Sequence, residues 1–162
     1  MEVDTEEGLV RFGAKGEALI KSFESLRLSS YLDQRGYATI GWGHRGWYSA
    51  DVPVALGQTC TAEQAEDWFQ RDTQEAVNAV SRGLDVAVSQ DKFDALVSFA
   101  FNCGITAFAH STLLRDLNEG LVQSAANEFL KWDYCAGVPD PGLERRRKAE
   151  RDLFLTPTEP ST

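Results

Sequence analysis

The chain is poor in residues that hold metals or form bridges. Two histidines, His44 and His110, and three cysteines, Cys60, Cys103 and Cys135, are spread over 162 residues. No C-x-x-C pair occurs, and no carboxylate cluster joins the histidines at ligand spacing. An odd number of thiols leaves no complete disulfide framework. The thiols are therefore expected to be buried, with one pair still open to oxidation in an oxidising compartment and nothing in the spacing to select it, and no metal or cofactor is implied. Apolar residues make up 43% of the chain, enough for a packed core. No apolar run approaches the roughly 18 to 20 residues of a membrane-spanning helix. The opening MEVDTEEGLVRF is acidic and lacks the basic start and apolar middle of a signal peptide. Basic charge is also scarce. A net charge of −9 leaves no surface suited to nucleic-acid phosphates. The local exception is Arg145-Arg146-Arg147-Lys148 with Arg151, which reads as the polar face of a last helix, or as a contact with an anionic polymer or with carboxylates in a cleft. No internal repeat is present.

The punctuation divides the chain into helices around one extended region. Leu19, Ile20 and Phe23 share a helical face over 15–24, and Glu24 falls in that helix's last turn. Thr61 with Gln64 forms a capping box opening a long helix that stops at Gly83. Trp68 is expected in its core face. Ser89 caps an apolar helix ending at Gly104, and Asn102 is placed near its C-terminal end to close that turn. Ser111 caps a short helix ending at Gly120, with His110 on the surface before it. A further helix covers 121–132. Residues 133–142 read as a loop rich in proline and glycine, and the closing helix covers 143–155. Trp47 to Gln58 reads as irregular, with a possible short third strand at 52–54.

The extended region carries the chemistry. The stretches 31–34 and 37–42 flank Arg35-Gly36 and read as a β-hairpin. A two-residue loop would put Asp33 and Thr39 on opposite faces. A loop of three residues (35–37) or five (34–38) would set them directly across from each other, able to hold one water. Glu24 sits at the negative end of a helix dipole, which disfavours its ionised form. An apolar wall over it would push in the same direction, as a general acid requires.

Glu24, eight residues, Asp33, five residues, Thr39, running into TIGWGH (Thr39 to His44), closely resembles the phage-type lysozymes, the endolysins of glycoside hydrolase family 24. Phe99 to Gly104 with Ser111 to Leu114, and Gly142-Leu143 with Arg146, Arg147 and Glu150, resemble that family's later blocks in the same order. The resemblance implies an α+β, lysozyme-like fold. It has a small antiparallel β lobe (28–60) and a larger helical lobe (61–155), joined by the long helix with a cleft between them. An arm (1–13) precedes this 14–155 catalytic domain and a disordered tail (156–162) follows it. Ser25 stands where relatives commonly have glycine, and Ala38 where they often have proline.

The implied activity is hydrolysis of the β-1,4 bond between N-acetylmuramic acid and N-acetylglucosamine in peptidoglycan. Glu24 is expected as the acid, and Asp33 with Thr39 as the pair that holds the attacking water, which favours inversion. His44 is expected as structural support beneath the hairpin, with Asn102 and Arg146 as further support or substrate contacts. The expected partner is the glycan strand, met by a monomer made in the host bacterial cytoplasm and released to the wall through a holin or similar lesion. Two alternatives are a catalytically silent peptidoglycan-binding or virion structural protein, and a lytic transglycosylase, which leaves an anhydro product and needs no water-holding pair.

Overall fold

The computed structural model describes residues 11–47 and 52–157. The first ten residues of the expected arm, and 158–162 of the expected tail, lie outside the described residues. Its elements in order are α1 (Ala14–Glu24), β1 (Arg27–Leu32), β2 (Ala38–Gly41), α2 (Ala62–Gly83), α3 (Gln90–Cys103), α4 (Ile105–Ala109), α5 (Thr112–Asn118), α6 (Val122–Glu128), β3 (Tyr134–Cys135), β4 (Val138–Pro139) and α7 (Pro141–Phe154). This is an α+β, lysozyme-like arrangement.

Local chemistry sets the boundaries. Thr61 and Gln64 form a reciprocal capping box at α2, while Ser89 accepts from Lys92 N and Ser111 from Leu114 N. Each satisfies a helix N–H that would otherwise lack a partner. Asp140 does the same for α7, whose first position is Pro141. Residues 133–142 are not wholly loop, because β3 and β4 pair as a two-residue ribbon, Tyr134 opposite Pro139.

The core is helical. Phe93, Leu96, Val97, Phe99 and Ala100 of α3 are at most 1% exposed, so this helix is packed from all sides. Phe99 meets Phe129 and Trp132 edge to face at 5.4 Å each, an arrangement the ring quadrupoles favour. Burying each such ring contributes about 1.5–3 kcal/mol. The long α2 packs on α3 and α4 at one part of its length and on β2 at another, so it joins the small sheet to the helical body.

The hairpin is where expectation and structure part. β1 begins at Arg27, and the ladder sets Tyr31 opposite Thr39 and Leu32 opposite Ala38. Asp33 N donates to Tyr37 O at 2.9 Å, leaving a three-residue loop, 34–36. The loop is odd, so Asp33 and Thr39 share a face. They are diagonal neighbours, however, not directly opposed. The cause is Asp33 itself: its Oδ1 accepts from Arg35 N and Tyr37 N, both at 2.9 Å, which pins the turn one residue earlier than the pattern suggested. No strand forms at 52–54. The free edge of β1 is instead met by 58–60, through Ser30 N to Gln58 O and Cys60 N to Leu28 O, both at 2.9 Å.

Candidate active site

A cleft of about 440 Å³ opens where the end of α1, the β1–β2 ribbon and the end of α3 meet. Glu24, Asp33 and Thr39 line it, together with Tyr31, Arg45, Trp47, Asn102 and Cys103. The volume lies in the range of ligand sites.

Glu24 is the last residue of α1, and its side chain is 18% exposed. The expected apolar wall is not what surrounds it. One oxygen takes a hydrogen bond from Arg146 Nη1 at 2.8 Å. The other faces Gly43, where a Cβ would stand 2.6 Å away. Gly43 also has φ +78°, so both the space and the backbone call for glycine there. Ser25, directly after Glu24, holds φ +53° and ψ +147°, a region that penalises any residue with a Cβ.

Asp33 is tied from two sides. Oδ1 is filled by the two backbone N–H groups, and Oδ2 is held by Arg45 Nη2. Burial pushes the carboxyl up, but the Tyr37 N–H and the Arg45 guanidinium outweigh it, and the group lies below the ordinary aspartate value. Thr39 is 2% exposed, and its hydroxyl donates to Tyr37 O at 3.0 Å. With its proton committed, that oxygen is left to accept. Burial, then the Glu24 charge, raise the Tyr31 hydroxyl.

The other expected residues do not share one position. Asn102 lines the cleft, but it does not close the α3 turn: its Oδ1 accepts from Arg147 Nη2 and ties α3 to α7. His44 and Arg146 lie behind the cleft. His44 is 3% exposed, with Nδ1 2.8 Å from Asp72 Oδ2 and its ring stacked on Trp68 at 4.5 Å. Trp68 is thus half-buried against a histidine, not in the apolar core. Arg146 and Arg147, at 3% and 0% exposure, are not the polar face of the last helix. They flank Glu150, also 0% exposed, and Ser98 Oγ donates to that carboxylate at 2.5 Å.

None of the three thiols is fully buried, although all are free. Cys103 sits at the cleft, where burial pushes its thiol up to about 11 against the opposing pull of Arg147. Among the described residues no group of three or more His, Cys, Asp or Glu side chains is placed to hold a metal ion, and no helix is long and apolar enough to cross a membrane. Three contributors were not singled out from sequence. Arg45 and Trp47 gave no periodic signal. Asp72 did: a carboxylate on the buried stripe of α2, between Phe69 and Ala76, asks for a partner.

The phage lysozyme family model matches residues 21–150. The endolysin of Bacillus phage B103 is 49% identical over 143 residues, 87% of this chain and 52% of that protein. The chain therefore spans about half the length of that relative. Among solved structures, the endolysin of Escherichia coli O157:H7 phage FAHEc1 aligns with a TM-score of 0.81 at 37% identity, covering 93% of this chain and 97% of that one. The muramidase domain of SpmX from Asticaccaulis excentricus aligns with a TM-score of 0.79 at 38% identity, covering 91% of this chain and 99% of that one. With the family model matched over residues 21–150 and Glu24, Asp33 and Thr39 brought to one cleft, this chain belongs to the phage lysozyme family.

Proposed function

We propose that the protein is an endolysin-type muramidase. It hydrolyses the β-1,4 bond between N-acetylmuramic acid and N-acetylglucosamine in peptidoglycan, with inversion. Glu24 protonates the leaving oxygen, and Asp33 and Thr39 hold the attacking water. One observation carries this reading. Asp33 Oδ1 is filled by two backbone donors, while Oδ2, beyond its bond to Arg45, keeps one lone-pair site. Thr39, diagonal to it on the same ribbon face, has an oxygen left only to accept. Diagonal neighbours stand about 7–8 Å apart at the backbone, and the reading requires the two side-chain oxygens to close to about 5–6 Å, the span one water bridges. A water between them would donate one proton to each and turn its own lone pair to the anomeric carbon.

The same engagement makes Asp33 a poor direct nucleophile, which favours inversion over retention. An anion below the ordinary aspartate value also suits support of an oxocarbenium-like transition state. Residues 14–155 form the catalytic unit in this reading. That the enzyme acts as a monomer is part of this reading. Passage to the wall through a holin-type lesion belongs to the same reading and rests on family resemblance alone.

Mass spectrometry of digested peptidoglycan tests the assignment. A reducing muramic acid end is expected. An anhydro end would assign a transglycosylase, and no cleavage a silent binding protein. Proton NMR of the fresh product, giving the α anomer first, would establish inversion.

A further inference from the structure

We propose that Arg45 is a positioning residue for Asp33: clamped beside Tyr37 and Trp47, its guanidinium holds the one carboxylate oxygen that the backbone leaves free and keeps the anion aimed into the cleft. The proposal rests on Asp33 being the water-orienting anion.

Asp33 is restrained on both sides of its carboxyl. Arg35 N and Tyr37 N fill Oδ1, and that alone would leave Oδ2 free to tilt about the outer torsion, which is soft in aspartate. Arg45 Nη2 removes that freedom. The pair is largely withdrawn from solvent, with side-chain exposures of 27% for Arg45 and 13% for Asp33.

Arg45 is itself held in place. Its guanidinium carbon lies 4.7 Å from the Trp47 ring centre and 5.7 Å from that of Tyr37. The two rings meet at right angles, 4.9 Å apart. Cation–π attraction thus fixes the head group from two directions. Its backbone carbonyl accepts from Val54 N at 3.1 Å. The next residue, Gly46, has φ +73°, and a Cβ there would come 2.1 Å from Val52 O, so the backbone at Gly46 lies close against Val52. Arg45 Nε is buried and finds no hydrogen-bond partner among the described residues, so what holds the head group is Asp33 and the two rings.

Among the described residues, the ionisable groups that share the cleft with Asp33 are few. Arg35 lies in the same turn, Tyr31 on β1, and Glu24 across the cleft at the end of α1, all lining the same space. Asp72 of α2 also borders it but is bound to His44. Arg45 is the cation that touches the carboxylate, and with the Tyr37 N–H it outweighs burial to hold Asp33 below the ordinary value. Without it, protonation of Asp33 begins at higher pH, and the acid side of the activity profile moves the same way.

Arg45→Gln, Arg45→Lys and Asp33→Asn in the full chain, assayed on purified peptidoglycan across about pH 3 to 8, test this. For Arg45→Gln we expect the acid limb of kcat/KM to move to higher pH and kcat to fall about tenfold to a hundredfold, with KM little changed. Arg45→Lys restores the limb in part, because it keeps the charge but loses the flat, stacked fork. It also serves as the readout should the glutamine variant not fold. A wild-type limb and kcat in a folded arginine variant, beside an inactive Asp33→Asn, would overturn the role of Arg45 alone. A rise confined to KM would overturn it too, marking Arg45 as a substrate contact. Full activity in Asp33→Asn would overturn the reading of Asp33 and this proposal with it.

Discussion

The Arg146 guanidinium lies 2.8 Å from the Glu24 carboxylate although 122 positions separate the two residues. The same side chain reaches Glu150 at 3.4 Å and Ser98 O at 3.5 Å. One arginine therefore joins the end of α1 to α3 and α7. Both it and Glu150 are almost wholly buried. Breaking a buried pair by removing one partner costs about 3–5 kcal/mol, because the other charge is left uncompensated. Arg146→Gln is expected to lose stability of that order in urea unfolding, together with activity. Arg146→Lys, which cannot span three acceptors in one plane, should remain folded but lose rate. A lysine variant with wild-type kcat would show that Glu24 needs no guanidinium to hold it.

Glu24→Gln keeps the shape of the side chain and its hydrogen bond to Arg146 while removing the proton donor. Cleavage should fall by at least the 10²–10⁴-fold typical of lost acid catalysis, with the melting temperature nearly unchanged. Product release from peptidoglycan near the wild-type rate would refute the acid assignment.

Thr39 acts by position. Thr39→Ala should lower kcat more than it raises KM, and cost about 1 kcal/mol of stability through the lost bond to Tyr37 O. Thr39→Ser, keeping the hydroxyl, should recover most of the rate. Should steady-state kinetics on soluble wall fragments show only KM rising in the alanine variant, the water-holding role fails.

Ser25 carries φ +53° without a glycine's freedom. Relief of that strain outweighs the added chain entropy of glycine, so Ser25→Gly is expected to stabilise the protein by about 1 kcal/mol with cleavage within about twofold of wild type. A lowered melting temperature in calorimetry would mean that the turn is not strained.

What the sequence made legible follows from how local each cause is. The caps at Thr61, Ser89 and Ser111 act within three residues of themselves, so pattern alone locates α2, α3 and α5. The shared face of Asp33 and Thr39 depends only on loop parity, which the spacing could constrain. Their register depends on two hydrogen bonds that Asp33 makes to its own turn, and spacing is silent on those. Arg146 and Arg147 read as a solvated helix face because arginine usually is, while the other reading, contact with cleft carboxylates, is the one Arg146 meets at Glu24. Their burial is decided by Glu150 and by Glu24, Asn102 and Cys103, more than 40 residues away. Arg45 escaped notice for the same reason: its partner is twelve residues back, at the turn between β1 and β2.

Asp94 gives the protein a pH-dependent stability that can be separated from catalysis. Gly13, at the N-cap of α1, has no side chain to offer, and the α3 carboxylate takes over. Asp94 accepts from Gly13 N at 2.9 Å, Gly16 N at 3.3 Å and Gln90 Nε2 at 2.8 Å, and is 1% exposed. Burial pushes its carboxyl up, and the three donors only partly oppose this. A carboxyl raised in the folded state binds its proton more readily there than in the unfolded chain. Its contribution is therefore greatest at acid pH, declines as pH rises from the ordinary aspartate value through the raised one, and is level above that. Asp33, held low, runs the other way, adding stability as pH rises toward the ordinary value. In Asp94→Asn the amide nitrogen would face an α1 N–H, a loss of about 1–2 kcal/mol. The difference in melting temperature between wild type and Asp94→Asn should then be largest at the acid end and shrink through that window. A difference that widens with pH would mean that the donors, not burial, govern Asp94, and that this cross-helix cap works as a charged one.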